Sequence, residues 1–351
     1  MNRYRGILCA AGLLVCCGLL LVCAGGCASV VLRDKGAGLS GTLWWLTPDD
    51  LALSASAWEE ELDHLQALGI DTIILNGPYA GPEGGTAFDA LLERLDARGL
   101  RVYLDTLSAP HWWTLEAAGE EVRRASDRAA ALQQAYGHYA SFTGFYIPYE
   151  CYVMWGPQGA LVRDLYVGVS EGCKAAAPEK PVMISPFFRL DEECYLGDFQ
   201  WASPEEYAAF WRDILSASSI DIVALQDSGE HLSCYTLAQR RPFFEAMAQA
   251  CSATGTSLWA NVESGELDVA SLEDYVARFG LKTSVNSPET QPFWRAVPAE
   301  KFRAKLSLAQ EYTDTAITWG YREFLRPSRG PVAAQAHTEY ARIPAQRRGG
   351  R

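Results

Sequence analysis

A chain of 351 residues, 49% apolar and 11% aromatic, carries a formal net charge of −13. That length and apolar content fit one large domain with a substantial core. So acidic a balance lacks the clustered Lys and Arg that phosphate binding needs, which argues against nucleic acid as a partner.

At the start of the chain, Arg3 and Arg5 precede the uncharged run ILCAAGLLVCCGLLLVCAGG of residues 7–26. Such a run reads as a signal peptide for export and not as part of the fold. It ends in small residues directly before Cys27, which resembles the lipobox of bacterial lipoproteins. That resemblance implies cleavage before Cys27, lipidation of its thiol, and a lipid-anchored protein of the cell envelope, at the outer membrane or the surface. The alternative is an uncleaved anchor helix, since twenty apolar residues are long enough to span a bilayer. Both readings put the globular part outside the cytoplasm. Removing residues 1–26 takes away two Arg and no acid, so the remainder is more acidic still, and residues 27–40 read as a tether.

From residue 41 onward, short β-prone runs alternate with amphipathic helical stretches. The predicted strands are GTLWWL (41–46), DTIILNG (71–77), RVYLDT (101–106), FTGFYIPYE (142–150), PVMISPFF (181–188), DIVALQD (221–227), TSLWANVES (256–264) and TAITWGY (315–321). Helices lie between them. SAWEEELDHLQALG repeats Trp58, Leu62, Leu65 and Leu68 near helical spacing and stops at Gly69. SPEE opens another, with Ser203 as cap, Pro204 in the first turn and acids following. Eight strands separated by helices are what a (β/α)8 TIM barrel requires, here as a single domain over 41–326. The segment 327–351 is rich in Pro, Gly, Ala and Arg and reads as a mobile tail.

In this barrel the loops after the strands converge on one rim, so chemistry is sought at the strands' carboxyl ends. Those ends carry Trp44 and Trp45, Asn76, Asp105, Tyr149 and Glu150, Ser185, Gln226 and Asp227, Asn261 and Glu263, and Trp319. Glu150 ends the fourth strand and Glu263 the seventh, which face each other across the mouth. Retaining glycosidases work with two carboxyls about 5–5.5 Å apart, one as acid/base and one as nucleophile. Glu150 and Glu263 are therefore the candidate catalytic residues. The large clan of glycosidases built on this barrel has its acid/base glutamate after strand four and its nucleophile after strand seven; this chain resembles that layout, with Tyr149 in place of the usual Asn. Asp105 and Asp227 are rival carboxylates, and a pairing of Glu150 with Asp227 at about 6.5–9.5 Å implies inversion. The bland reading of each glutamate is a rim carboxylate bonded to backbone amides or an Arg.

Nine of the eleven Trp fall in predicted strands or the segments after them, which favours a sugar ligand, since flat rings stack on pyranose faces while Asn and Asp bond hydroxyls. The substrate-binding candidates are Trp44, Asn76, Asp105, Tyr146, Tyr149, Gln226, Asp227, Trp259, Asn261 and Trp319. Some of these rings are expected simply to fill the core. The five His fit no metal spacing, so no metal or other cofactor is expected, and only His111, in APHWW, is placed near a substrate. Five of the ten Cys lie at or before position 27. Of the others, Cys194 and Cys234 follow neighbouring strands and are the pair to test for a disulfide, while Cys173 and Cys251 fall on helices.

The motifs GTLWWL, LGIDTIILNG, GFYIPYE, SPFF, DIVALQD and LWANVES, in this order over most of residues 40–265, resemble a bacterial barrel family known as domain-of-unknown-function family 4434. Its members are often called glycoside hydrolase candidates. The resemblance implies a (β/α)8 glycoside hydrolase-like lipoprotein. A carbohydrate is the expected substrate or ligand, and the lipid anchor ties the protein to a membrane. The alternative from another class is a catalytically silent barrel that binds polysaccharide or a partner in the envelope.

Overall fold

In a computed structural model of the chain, residues 38–343 are described; the expected signal peptide, Cys27 and most of the expected tether lie outside them. Ten strands form: β1 Gly41–Trp45, β2 Thr72–Asn76, β3 Arg101–Asp105, β4 Phe142–Ile147, β5 Val182–Ile184, β6 Ile222–Gln226, β7 Ser257–Asn261, β8 Gly265–Leu267, β9 Trp294–Ala296 and β10 Ala316–Thr318. Eight of them close a parallel barrel in the order β1-β10-β7-β6-β5-β4-β3-β2, as the strand count predicts. β1 pairs with β2 from Gly41 opposite Thr72 to Trp45 opposite Asn76, and β10 closes the ring with Ile317 opposite Gly41. β8 and β9 instead form a two-stranded antiparallel sheet, with α8 between them in sequence, inserted between β7 and β10, which the sequence reading did not foresee.

The helices are α1 Pro48–Leu51, α2 Ala55–Ala67, α3 Gly85–Ala97, α4 Gly119–Tyr136, α5 Gly156–Ala176, α6 Pro204–Ala217, α7 Leu237–Thr254, α8 Leu272–Phe279, α9 Ala299–Ala309 and α10 Pro331–Ala341. Their ends follow the local chemistry. Ser203 accepts from Glu206 N while the Glu206 carboxylate accepts from Ser203 N, a reciprocal cap that starts α6. Beyond α2, Gly69 takes φ +86°, a left-handed backbone that releases the chain into β2. Among the described residues no helix is long and apolar enough to cross a membrane.

Strands expose successive side chains to opposite faces, so the barrel divides its apolar residues into two cores. Leu43, Ile74, Tyr103, Tyr146, Met183, Ile222, Ala224 and Ile317 fill the interior. A much larger shell, including Trp44, Ile73, Leu104, Phe145 and Val223, packs between barrel and helices. Gly144 sits where a Cβ would lie 2.7 Å from the Tyr103 ring and 2.4 Å from Pro181 O, so only glycine lets Tyr103 fill the interior at that level.

Several strands are shorter than predicted. β4 stops at Ile147 because Pro148 has no N–H to give, and β5 covers only Val182–Ile184 of the predicted 181–188. The expected mobile tail is corrected as far as residue 343. Pro327–Arg329 form a 3-10 turn, and α10 buries Ala333, Ala336, His337 and Tyr340. The Tyr340 hydroxyl donates to Val297 O (2.8 Å) and its ring stacks on Phe302, 4.3 Å between centroids. An apolar helical period was present in PVAAQAHTEYA, hidden by the surrounding Gly, Pro and Arg.

A buried ionic cluster joins the two ends of the barrel domain. Arg326 donates to Glu61 Oε2 (2.7 Å) and Asp50 Oδ1 (2.8 Å), Arg322 donates to Asp50 Oδ2 (3.2 Å), and the Tyr321 hydroxyl donates to Glu61. Burial alone raises the Asp50 carboxyl, but Thr47 and the two guanidinium groups hold it below its ordinary value. Arg326→Ala leaves two buried carboxylates with fewer partners. Denaturant unfolding is expected to show a loss of about 3 kcal/mol, and a loss below about 1 kcal/mol would mean that the cluster is not a structural tie.

Candidate active site

At the carboxyl ends of the barrel strands lies a cavity of about 490 Å³, bounded among others by Trp45, Asn76, Asp105, Trp112, Glu150 and Trp319. Strand alternation places these groups. On β1, Leu43 points inward, so Trp45 does too; on β2 and β3 the same step carries Ile74 to Asn76 and Tyr103 to Asp105. Trp45 is 56% exposed and its ring lies against Gly77, where a Cβ would come within 3.1 Å. It is the open aromatic face of the cavity, and Trp112 and Trp319 supply two more rings. Arg124 also borders the cavity, held by a 2.7 Å ion pair to Glu121.

Asp105 is fixed by two backbone donors, Gly77 N (2.8 Å to Oδ2) and Leu107 N (2.5 Å to Oδ1). Burial pushes its carboxyl up to about 6 even against those bonds and the nearby Arg128 and Arg124. Glu150 is open to the cavity, yet its carboxyl is set among protein atoms. Loss of hydration raises it above its ordinary value, opposed by hydrogen bonds from Tyr146 (hydroxyl to Oε1, 2.8 Å) and Gln226. Because solvent reaches Glu150, the geometry sets a smaller rise there than at a sealed group.

Glu263 is such a sealed group, 1% exposed with neither carboxyl oxygen hydrogen-bonded. Burial raises its pKa well above the ordinary value, with further pushes from Asp227 and Glu150 opposed by Lys305. Over Glu263 lies His231, with Nδ1 4.0 Å from Oε2 and its ring stacked on Trp319 at 5.7 Å. Burial pushes the His231 imidazole down to about 3, so it is neutral and cannot hold Glu263 ionised.

The other residues singled out from sequence divide by the face they occupy. Asn76 borders the cavity, with Oδ1 buried and without a protein partner, and Trp319 borders it as well. Gln226 and Asn261 lie just below, joined through Ser185: Gln226 Nε2 donates to Ser185 O (2.8 Å) and Asn261 Nδ2 to Ser185 Oγ (3.1 Å). Tyr146 is buried inside the barrel, so it orients Glu150 and offers no open ring to a sugar. Trp259 packs edge-on against Tyr103 within the interior core, two residues before Asn261, and fills the barrel below the mouth.

Three candidates face outward and are corrected. Trp44 is 1% exposed and packs on Trp58 and Tyr321 in the outer shell, one residue out of phase with Trp45. Tyr149 lies against Trp112 and donates its hydroxyl to Glu121 Oε1 (2.9 Å). Asp227 is buried behind the rim, 3.0 Å from Lys305 Nζ and 3.7 Å from Arg240 Nε. The proposed disulfide is also corrected: Cys194 and Cys234 are both free. The Cys194 thiol turns back into its own loop and donates to Phe199 O (3.1 Å). His111 flanks the mouth edge-on to Trp113 without bordering the cavity, and it is His231, set aside by the sequence reading, that stands beside a key carboxyl. Among the described residues no group of three or more His, Cys, Asp or Glu is arranged to hold a metal ion.

With this geometry in view, the sequence profile of the family described as "Domain of unknown function (DUF4434)" matches residues 39–335. No curated protein matches the sequence. Among solved structures, a candidate α-L-fucosidase from Bacteroides thetaiotaomicron VPI-5482 is similar at 20% identity and TM-score 0.68, over 91% of this chain and 98% of that one. A GH10 endoxylanase retrieved from a sugarcane soil metagenome is similar at 13% identity and TM-score 0.55, over 87% and 97%. A psychrophilic glycoside hydrolase family 10 endo-β-1,4-xylanase is similar at 10% identity and TM-score 0.51, over 87% and 96%. These likenesses are of fold.

Asp105 gives the site a pH signature. Its folded pKa, about 6, exceeds the ordinary 3.8, so the stability it contributes is full below about pH 4 and lost as pH rises through 6. Denaturant unfolding of the wild type is expected to weaken from pH 4 to 7 by roughly 3 kcal/mol more than Asp105→Asn. Parallel pH profiles for the two proteins would show that Asp105 titrates normally.

Proposed function

The chain belongs to the family described as domain of unknown function DUF4434, and from its barrel mouth we propose that it hydrolyses glycosidic bonds with the carboxyl groups of Glu150 and Glu263. What supports this reading is the fold: the chain leaving β4 carries Glu150, open to the cavity, and the chain leaving β7 carries Glu263, buried against His231 at the same end of the barrel. Two carboxyls held in unequal environments are how such a site keeps one protonated and one ionised. By the retaining mechanism, which the clan layout favours, one carboxylate attacks the anomeric carbon while the other protonates the departing oxygen. Water then releases the sugar as the second group takes a proton from it. Trp45 supplies the open stacking face, bordered by Trp112 and Trp319, and Asn76 and Asp105 supply hydroxyl partners.

Burial favours the protonated form of Glu263, which lies under His231, itself stacked on Trp319. The roles implied by the clan layout, Glu150 as acid/base and Glu263 as nucleophile, therefore require that cover to shift and the proton to pass to Glu150 as sugar enters. The same sealed carboxyl favours a second reading, a barrel that binds polysaccharide without cleaving it. The protein acts outside the cytoplasm, anchored by lipid on Cys27.

Assays of Glu150→Gln and Glu263→Gln on a glycan panel separate the two functions. Hydrolysis by the wild type, reduced at least about 10³-fold in each variant, is the expected result. Turnover like the wild type in either variant overturns the pair, and glycan binding without hydrolysis that survives both substitutions supports the silent barrel. For the anchor, Cys27→Ser is expected to abolish incorporation of radiolabelled palmitate into the protein made in bacteria; labelling that persists in the variant contradicts lipidation at Cys27.

A further inference from the structure

We infer that a second cavity beside the mouth is a subsite for a further unit of an oligosaccharide, so that the protein takes a glycan spanning two adjoining cavities. This rests on the glycoside-hydrolase reading for the chemical class of its ligand. The cavity, about 620 Å³, is bounded by Tyr152, Trp155, Gln158, Phe199, Gln200 and Lys282 among others. One segment of chain joins the two spaces: Glu150 borders the mouth, and Tyr152 through Trp155 wall the second cavity on the way to α5. Consecutive Cα atoms are 3.8 Å apart, so Glu150 and Tyr152 stand within about 8 Å of each other along the backbone.

The rings that face this cavity are half-exposed and held in place. Trp155 donates its indole N–H to Gln200 O (3.3 Å). The Arg189 guanidinium lies 4.2 Å from the Tyr152 ring and 4.1 Å from the Phe199 ring, which stand edge-to-face at 73°, so it fixes both rings in place. Amide and carboxylate groups of Gln158, Gln200 and Glu193 stand around them. Flat rings with polar groups at their edge are what a pyranose needs, with its apolar face stacked and its hydroxyls bonded. Lys282 is already paired with Asp198, and Glu193 adds an acid, so the site offers no surplus cation and fits an uncharged sugar better than an acidic one.

Backbone strain points the same way. Among the described residues, five other than glycine take left-handed φ values: Leu107, His111, Cys194, His231 and Lys282. Each costs conformational energy and needs surrounding structure to hold it. Leu107 borders the mouth, His111 flanks it, and His231 covers Glu263; Cys194 and Lys282 both border the second cavity. Strain concentrated in the loops of one rim is thus shared between the mouth and this neighbour.

The test uses the full chain with Trp155→Ala, and Trp155→Phe as the variant that keeps a flat ring. Xylo-oligosaccharides and fucosylated oligosaccharides of two to six residues are the probes, read by calorimetric binding to Glu150→Gln backgrounds and by hydrolysis in active backgrounds. Trp155→Ala is expected to lower affinity for the longer chains about tenfold, to leave the shortest unchanged, and to be rescued by Trp155→Phe. In active backgrounds the same length dependence is expected in kcat/KM. Absence of binding to every probe, or losses equal at all lengths, overturns the subsite. Should no background hydrolyse any probe, length-dependent binding lost in Trp155→Ala still upholds the subsite while the catalytic reading fails.

Discussion

A strand in a closed barrel presents every second side chain to the interior, and this constraint decides what the protein can place at its mouth. The inward series climbs from an apolar plug to a polar rim: Leu43 to Trp45, Ile74 to Asn76, Tyr103 to Asp105, Ala224 to Gln226, Ile317 to Trp319. The plug excludes water from below. The rim gathers groups from separate strands into one cavity of about 490 Å³, so no single segment carries the site. The outward series belongs to the helices. Trp44, Tyr149 and Asp227 lie one step from rim residues and are spent on packing and ion pairs in the outer shell.

The same architecture sets the electrostatics. Carboxyls drawn into a plugged mouth lose hydration, and what replaces it differs from group to group. Asp105 receives two backbone amides, Glu150 receives Tyr146 and Gln226, and Glu263 receives no hydrogen bond at its carboxyl oxygens. Lys305, the nearest compensating cation, is committed to Asp227 at 3.0 Å and to the Glu263 backbone carbonyl at 2.7 Å. Glu263 is left as the group most disposed to keep a proton, and the Glu150 charge adds to that disposition.

Much of this was readable from the residues. Eight runs of β-prone sequence gave the barrel, and polar residues at their ends located the rim. What failed was phase. Reading the last one or two residues of each strand cannot tell Trp44 from Trp45 or Gln226 from Asp227, and those neighbours face opposite ways. Counting in twos from Leu43 or Ala224 separates them, because a buried apolar residue inside the barrel fixes the parity of its strand. Other features had no local signal. The strands β8 and β9 are three residues each, His231 reaches Glu263 only through the fold, and α10 was masked by flanking Pro, Gly and Arg.

Catalysis by two carboxyls requires that Glu150 and Glu263 be one coupled pair. Carbon-13 NMR titration of glutamate carboxyls, in the wild type and with Glu150 made neutral by substitution with Gln, observes that coupling directly. Glu263 is expected to titrate well above the ordinary glutamate range and to fall when the Glu150 charge is removed. A Glu263 carboxyl that titrates normally, or that ignores Glu150, would contradict the pair.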